Sequence, residues 1–220
     1  MTTERASRIE RRDFDGLATL ILRNPEQRNA ITRAMVSELV AQLDEVNRDD
    51  AVRAVVITGD GRYFCTGAAL SEPSHRFGSA GGGPGDNRDS GGVLALRLFE
   101  LSKPVIGAVN GDAVGLGASM LLPLDVRIAA DHARVGFVQV RRGIAPEGCS
   151  SWFLPRLVGI ATAMDWAVSG RLVSAREAAA AGLLQGVHRA EDLMDVAYTI
   201  ARDMIQASAP ISANVTRRML

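Results

Sequence analysis

Hydrophobic spacing near the amino terminus changes from that of strands to that of a helix. Residues 7–14 and 17–22 have the pattern of two short strands, and the Asp15-Gly16 pair between them is a strong hairpin signal. Apolar residues then recur over 31–46 at helical spacing, and Thr32 is the expected N-cap. The pattern predicts a hairpin followed by an amphipathic helix.

The central part of the chain alternates apolar runs with helical segments. The continuous β-branched run at 54–58 and the apolar run at 105–109 predict buried strands, and residues 125–130 are predicted as a further strand. Helical segments are predicted at 93–101 and 115–122. Strands alternating with helices indicate a largely parallel sheet with right-handed crossovers, so the predicted fold class is α/β.

Two regions depart from this alternation. Residues 73–92 are rich in Gly, Ser and Asp, and we expect a surface loop there. From about Cys149 onwards we expect a mostly helical tail. The predicted helices of this tail lie near 149–158, 161–169, 174–181 and 191–207.

Charge and composition narrow the function classes. The 25 Lys and Arg residues balance 25 Asp and Glu residues, so no overall positive field attracts nucleic acid or an anionic membrane. The longest apolar stretch, residues 114–124, is too short to cross a bilayer. Cys65 and Cys149 lack a C-x-x-C spacing and are expected as free thiols. These features favour a cytoplasmic protein that binds neither nucleic acid nor membrane.

The Gly115-Leu116-Gly117 segment follows a predicted strand and opens a predicted helix. A dinucleotide fingerprint would need a third glycine at position 120, where the chain has Met120. Glycines here expose backbone N–H groups at a helix start, where negative charge is favoured, but they also permit tight helix packing. The spacing alone leaves both interpretations open.

Four ordered segments carry a resemblance to a known family. Residues 24–31 resemble N-x-P-x-x-x-N-A-[LI], and residues 64–70 resemble F-x-x-G-A-D-L. Residues 110–125 resemble N-G-x-A-x-G-x-G-…-D, and residues 170–184 resemble G-x-x-x-x-A-x-E-A followed by G-L-[VL]. Together they resemble the crotonase, or enoyl-CoA hydratase/isomerase, family.

The resemblance implies a fold, a substrate and an assembly. It implies a crotonase-like spiral of ββα units with an acyl-CoA site over residues 1–190, and the start of a helical oligomerisation part over 191–220. The implied partner is an acyl-CoA thioester, of which coenzyme A is itself a part. No separate cofactor and no metal are therefore expected. The implied assembly is a homotrimer or a dimer of trimers.

The resemblance also assigns residues to the site. The backbone N–H groups of Ala68 and Leu116 match the two donors that polarise the thioester oxygen in this family. The residues that match positions which bind the CoA moiety in this family are Arg28, Ala30, Gly67, Ala68 and Leu70. For Arg28, a solvated surface arginine is the competing interpretation.

Three positions decide which reaction the resemblance implies. Hydratases of the family hold water with two glutamates, but this chain has Ser119 and Gln139 at those positions. The segment around Glu147, Pro-Glu-Gly-Cys-Ser-Ser, instead resembles the single catalytic glutamate of peroxisomal-type Δ3,Δ2-enoyl-CoA isomerases. An isomerase with Glu147 as its base is therefore expected, because moving a double bond requires one base and no held water.

Other roles for Glu147 remain open at this stage. A glutamate after a proline in the first turn of a helix also complements the helix dipole without any catalytic role. Glu147 could instead act as a nucleophile, as an aspartate does at a similar place in aryl-CoA dehalogenases. A non-catalytic acyl-CoA-binding protein is a third interpretation.

Overall fold

A large, mostly parallel sheet forms the centre of the protein. The structure, a computed structural model, describes residues 8–69 and 89–220. Its six-stranded sheet has the order β1-β2-β3-β4-β6-β9, and a three-stranded sheet has the order β5-β7-β8. The strands of the described residues are β1 (Arg8–Phe14), β2 (Leu17–Arg23), β3 (Ala54–Gly59), β4 (Val105–Val109), β5 (Ala113–Val114), β6 (Val126–Ala130), β7 (Arg134–Gly136), β8 (Leu172–Ser174) and β9 (Gly186–His188).

Helices alternate with these strands along the chain, as expected for an α/β fold. They are α1 (Arg33–Arg48), α2 (Ser90–Glu100), α3 (Leu116–Ser119), α4 (Ser150–Val158), α5 (Ile160–Ser169), α6 (Ala175–Ala180), α7 (Leu193–Gln206) and α8 (Pro210–Met219), with short 3-10 helices at Pro25–Gln27 and Gln139–Arg142. Within the described ranges, no helix is both long and apolar enough to cross a membrane.

The predicted hairpin and first helix are confirmed. β1 pairs antiparallel with β2, and the turn residues Asp15 and Gly16 both have positive φ, at 50° and 75°. The other neighbours in the large sheet run parallel. Thr32 caps α1 as predicted, because its side chain accepts a hydrogen bond from the Met35 N–H.

Two of the predicted central boundaries were wrong. α2 begins at Ser90, within the stretch predicted as loop, because the Asp89 side chain accepts hydrogen bonds from the N–H groups of Gly91 and Gly92. The cap compensates for the poor helix propensity of the two glycines. The helix predicted over 115–122 is reduced to α3, and turns follow it.

The tail contains strands that were predicted as helix or not predicted at all. β8 and β9 interrupt the carboxy-terminal helices, and β9 extends the large sheet beside β6. Both strands are only three residues long, which is too short for an alternating pattern to stand out. α7 packs on the large sheet through the buried side chains of Leu193, Ala197 and Ala201.

Two basic side chains satisfy carbonyl groups at helix ends. Arg217 of α8 donates to the carbonyls of Leu98, Phe99 and Leu101 at the end of α2, and its Nε donates to Asp125 at 2.9 Å. The partly buried Lys103 donates its ammonium group to two carbonyls at the end of α1, those of Val46 and Asp49. The last carbonyls of an α-helix lack the regular bond to the residue four positions further on, so these contacts fix α8 and the start of β4.

Candidate active site

The loop after β3 presents the Ala68 N–H. Ile31 pairs with this loop in a parallel bridge, in which Ile31 N donates to Gly67 O at 2.8 Å and Ala69 N donates to Ile31 O at 2.9 Å. The bridge uses the groups on either side of Ala68 but not its N–H. Gly67 has φ of 100°, a conformation that favours glycine, and this φ sets the direction of the following peptide.

Leu116 presents the second predicted donor at the start of α3. Gly115 N donates to Gly136 O at 2.8 Å, which ties the turn before α3 to β7 and leaves Leu116 N as the first free donor of the helix. A Cβ atom built on Gly67 would lie 3.8 Å from Leu116 N, so the two donor turns are in contact. Within residues 8–69 and 89–220, neither the Ala68 nor the Leu116 N–H has a hydrogen-bond partner.

Two asparagines hold the segments around this donor pair. The fully buried Asn29 donates to the carbonyls of Asp60 and Tyr63 at 2.8 and 2.6 Å. Asn110 accepts a hydrogen bond from Gly59 N at 2.9 Å, which joins the ends of β3 and β4. Sequence reasoning placed both asparagines in the matching segments but gave them no role. The structure makes them supports for the loop that carries Ala68.

Ser119 and Gln139, the neutral residues at the hydratase positions, contact each other. Both side chains are buried, and Gln139 Nε2 donates to Ser119 Oγ at 3.3 Å. A Cβ atom built on Gly148 would lie 2.8 Å from Ser119 Cβ, so the chain after Glu147 packs directly against Ser119. The space beside Ser119 is therefore filled by backbone.

Glu147 lies beside this neutral pair, and the pKa of its carboxyl group is raised. Burial, and then the negative charge of Asp89, raise the pKa of the Glu147 carboxyl above its ordinary value of 4.5, while a hydrogen-bonding interaction with Gln139 opposes the rise. α4 begins at Ser150, and Ser150 N donates to the Glu147 carbonyl. Glu147 thus lies two residues before the N-cap of α4, Cys149, and not within the first turn of the helix.

Asp89 is the site neighbour that sequence reasoning missed. Its Oδ2 accepts a hydrogen bond from Gly148 N at 2.8 Å, in addition to the two bonds that cap α2. The side chain thereby joins the start of α2 to the segment that carries Glu147. An Asp before a serine and two glycines is a possible cap signal, but the Gly-rich surroundings concealed it.

The residues proposed for CoA binding lie partly beside the donor pair. Arg28 is exposed, and its guanidinium is 5.8 Å from the centroid of the Tyr63 ring. Its carbonyl accepts a hydrogen bond from Thr66 Oγ1 at 3.1 Å, so the segment from Arg28 to Ala30 runs beside the Ala68 loop. Leu70 lies outside the described residues. An open cavity of about 620 Å³ between β9 and α7 contains none of the candidate site residues.

The chain is similar in sequence and in structure to known proteins. Residues 13–220 match the family model described as enoyl-CoA hydratase/isomerase. An enoyl-CoA hydratase of Alternaria alternata is 37% identical over 214 residues, covering 97% of this chain and 71% of that protein. The 1,2-epoxyphenylacetyl-CoA isomerase of Escherichia coli K12 is 37% identical over 196 residues, covering 86% of this chain and 72% of that protein. A crystal structure of a probable enoyl-CoA hydratase/isomerase from Mycobacterium abscessus superposes with a TM-score of 0.87 at 34% identity, covering 97% of this chain and 81% of that one.

Proposed function

The chain belongs to the enoyl-CoA hydratase/isomerase family, and from that premise we propose that it is an enoyl-CoA Δ-isomerase that moves a 3-enoyl double bond to C2. The observation that carries the proposal is the composition of the site. Among the described residues of the site, Glu147 is a carboxylate with a raised pKa, and the two hydratase positions hold the neutral pair Ser119 and Gln139. One base is sufficient for isomerisation, whereas the family's hydration chemistry uses two glutamates.

In the proposed reaction, the Glu147 carboxylate removes a proton from C2 of a 3-enoyl-CoA. The electron pair of that C–H bond forms the C1–C2 double bond, and the thioester oxygen takes the negative charge of the dienolate. The N–H groups of Ala68 and Leu116 stabilise this oxygen, each by roughly 3–4 kcal/mol. The protonated Glu147 then returns the proton to C4, which leaves the double bond between C2 and C3.

The raised pKa of Glu147 supports this role. A base works best when its pKa approaches the operating pH, because it is then both ionised and a strong proton acceptor. Burial and the Asp89 charge move the Glu147 carboxyl in that direction. The same group, once protonated, must also release its proton to C4.

A comparison of two substrates tests the proposal. Purified protein is given trans-3-hexenoyl-CoA and trans-2-hexenoyl-CoA in separate assays, and the products are separated by chromatography. We expect conversion of the 3-enoyl ester and barely detectable hydration of the 2-enoyl ester. Hydration as fast as isomerisation would overturn the assignment and leave the family membership in place.

Hydration is the second candidate, because several of the matching relatives are named enoyl-CoA hydratases. In that case Glu147 would act on a water molecule, with Gln139 as the polar partner. A purely binding protein is a third outcome. Solvent deuterium exchange at C2 of bound hexanoyl-CoA separates this third outcome from the enzymes, since exchange requires a working base.

We also propose that the chain assembles as a homotrimer or a dimer of trimers. Support comes from α5, where Ile160, Met164 and Val168 lie four residues apart and are 68%, 56% and 62% exposed. An apolar stripe of this kind is typical of a surface covered by another subunit. Sedimentation equilibrium should give about three or six times the 23.4 kDa chain mass, and Met164→Glu should lower the measured mass.

A cytoplasmic location also remains our proposal, supported by the free thiols of Cys65 and Cys149.

A further inference from the structure

Asp89 makes more contacts than the capping of α2 requires. Its Oδ1 accepts a hydrogen bond from Gly91 N at 3.0 Å, and its Oδ2 accepts one from Gly92 N at 2.9 Å. Those two bonds complete the cap. The third, from Gly148 N at 2.8 Å, crosses to a segment 59 residues further along the chain. Because Gly148 directly follows Glu147, this bond fixes the backbone on which the proposed base sits.

The first turn of α2 also touches the residue that carries the second donor. A Cβ atom built on Gly91 would lie 2.8 Å from Leu116 Cδ1, so the Leu116 side chain lies against the helix start that Asp89 caps. On its other side, Gly148 packs against Ser119 of α3. One carboxylate therefore joins the start of α2 to the Glu147 segment, and both of these pack against α3, which begins at Leu116.

We propose that Asp89 is a positioning residue, which fixes the Glu147 carboxylate relative to the Leu116 donor through its bond to Gly148. The inference rests on the proposed function of Glu147 as base. Asp89 is not assigned as a second base, because its two carboxylate oxygens already accept three backbone hydrogen bonds.

The charge of Asp89 adds an effect that a neutral cap would lack. Serine or asparagine caps a helix about as well as aspartate. Only the aspartate places a negative charge near Glu147, where it is the second cause, after burial, of the raised pKa. The same charge contributes to the raised pKa of the neighbouring Cys149 thiol. Among the described residues, the groups facing Glu147 are this charged Asp89 from α2 and the neutral Gln139.

The test compares Asp89→Asn with the wild-type enzyme across pH. Asparagine keeps one acceptor oxygen for the α2 cap, but it loses the charge and the second acceptor. We expect the acid limb of kcat/KM for trans-3-hexenoyl-CoA to move to lower pH. We also expect kcat to fall by up to roughly 100-fold, the effect of misplacing a reacting group by about 1 Å. Affinity for hexanoyl-CoA should stay within a few-fold of the wild-type value.

Ser174→Ala provides the matched control, because it removes the side-chain cap of α6, away from the site. It should lower the melting temperature while leaving the pH profile and kcat unchanged. An Asp89→Asn enzyme that loses stability like Ser174→Ala but keeps the wild-type pH limb and kcat would overturn the proposal. Asp89→Ser, which keeps a cap, should show the same shifted limb as Asp89→Asn.

Deuterium exchange at C2 of hexanoyl-CoA separates this inference from the proposed function. Exchange by the wild-type protein without isomerisation would reject the isomerase assignment. The exchange rate would still report on the role of Asp89, because Asp89→Asn should slow exchange and shift the acid limb of its pH dependence. Equal exchange in both proteins would reject the role of Asp89 alone. A wild-type protein with neither exchange nor isomerisation would overturn both.

Discussion

At the scale of single residues, the site is a carboxylate in an environment that disfavours its ionised form. Burial is the larger cause of the raised pKa of Glu147, and the Asp89 charge is the second. The neutral contact between Ser119 and Gln139 fills the positions where the family's hydratases hold water. In the proposed mechanism, the chemistry of the site depends on the one proton that Glu147 carries or lacks.

Glu147→Gln tests the assignment of the base. The change keeps the size and hydrogen-bonding reach of the side chain but removes the basic oxygen. Turnover of 3-enoyl-CoA should fall by roughly 10²–10⁴-fold, the usual contribution of general acid–base catalysis. Affinity for hexanoyl-CoA, measured by calorimetry, should hardly change. A Glu147→Gln enzyme with normal turnover would contradict the mechanism. If mass spectrometry detected a covalent adduct at Glu147 of the wild-type enzyme, Glu147 would be a nucleophile and not a base.

Activity and stability should respond to pH in opposite directions through Glu147. The base must be ionised, so kcat/KM should rise with pH through a pKa above 4.5. Because the folded-state pKa is raised above the unfolded value, the native state binds more protons in this window, and its stability falls as pH rises. Urea unfolding at several pH values should show that Glu147→Gln removes this decrease. An unchanged pH dependence in that variant would contradict the raised pKa.

Ala68→Pro tests the backbone donor on the loop after β3. Proline has no N–H, and the bridge with Ile31 uses only the neighbouring Gly67 and Ala69 groups. Turnover should fall by roughly 10²–10³-fold, as for the loss of one oxyanion donor. Ala68→Ser keeps the N–H and should retain most of the activity. A folded Ala68→Pro protein with near-normal turnover would place the oxyanion elsewhere.

At the residue level, matching segments supplied the context for choosing site residues, and the roles of those residues remain predictions. Ala68, Leu116 and Glu147 were selected in this way, and the structure brings their segments into contact through α2 and α3. Asp89 was missed, because its decisive partner, Gly148, is 59 positions away in the chain. A long-range bond to a backbone N–H leaves no side-chain pattern that a sequence reveals.

At the scale of elements, prediction depended on length. β3 and β4 are continuous apolar runs of six and five residues, and both were predicted. β5 and β7, with two and three residues, were not, since pairing with neighbours rather than propensity determines such short strands. β5 leads directly into the turn that presents Leu116, and it also bridges to Cys65 of the Ala68 loop, so a part of the fold next to the donor pair was the least visible in the sequence.

Arg217→Ala tests how far α8 stabilises α2. The side chain is 10% exposed and donates to three carbonyls at the end of α2 as well as to Asp125. Its loss should cost about 1–3 kcal/mol in the free energy of unfolding, because partly buried acceptors lose their donor. The adjacent Arg218 is exposed, and Arg218→Ala should change the free energy by less than about 0.5 kcal/mol. Equal effects in urea unfolding would contradict this role for Arg217.

At the scale of the whole molecule, one core joins all the elements that carry the site. Buried side chains from β1 in the amino-terminal hairpin to α7 belong to a single hydrophobic cluster. The α/β class and the order of the main elements were predictable, because long apolar runs and helical spacing reflect this common core. The position of the exposed apolar stripe on α5 was not predictable, since the sequence pattern does not say which apolar residues face outward.

The single lysine has a consequence for the chemical durability of the protein. Thioesters slowly acylate free amines, and of the 25 Lys and Arg residues only Lys103 is a lysine. Burial lowers the pKa of Lys103, which leaves more of its amine unprotonated, while the carbonyls at the end of α1 shield it. Prolonged incubation with hexanoyl-CoA should therefore add at most one lysine-linked acyl group by mass spectrometry, with loss of thermal stability, and Lys103→Arg should prevent both. Lysine acylation of this chain by a thioester is thus confined to one side chain.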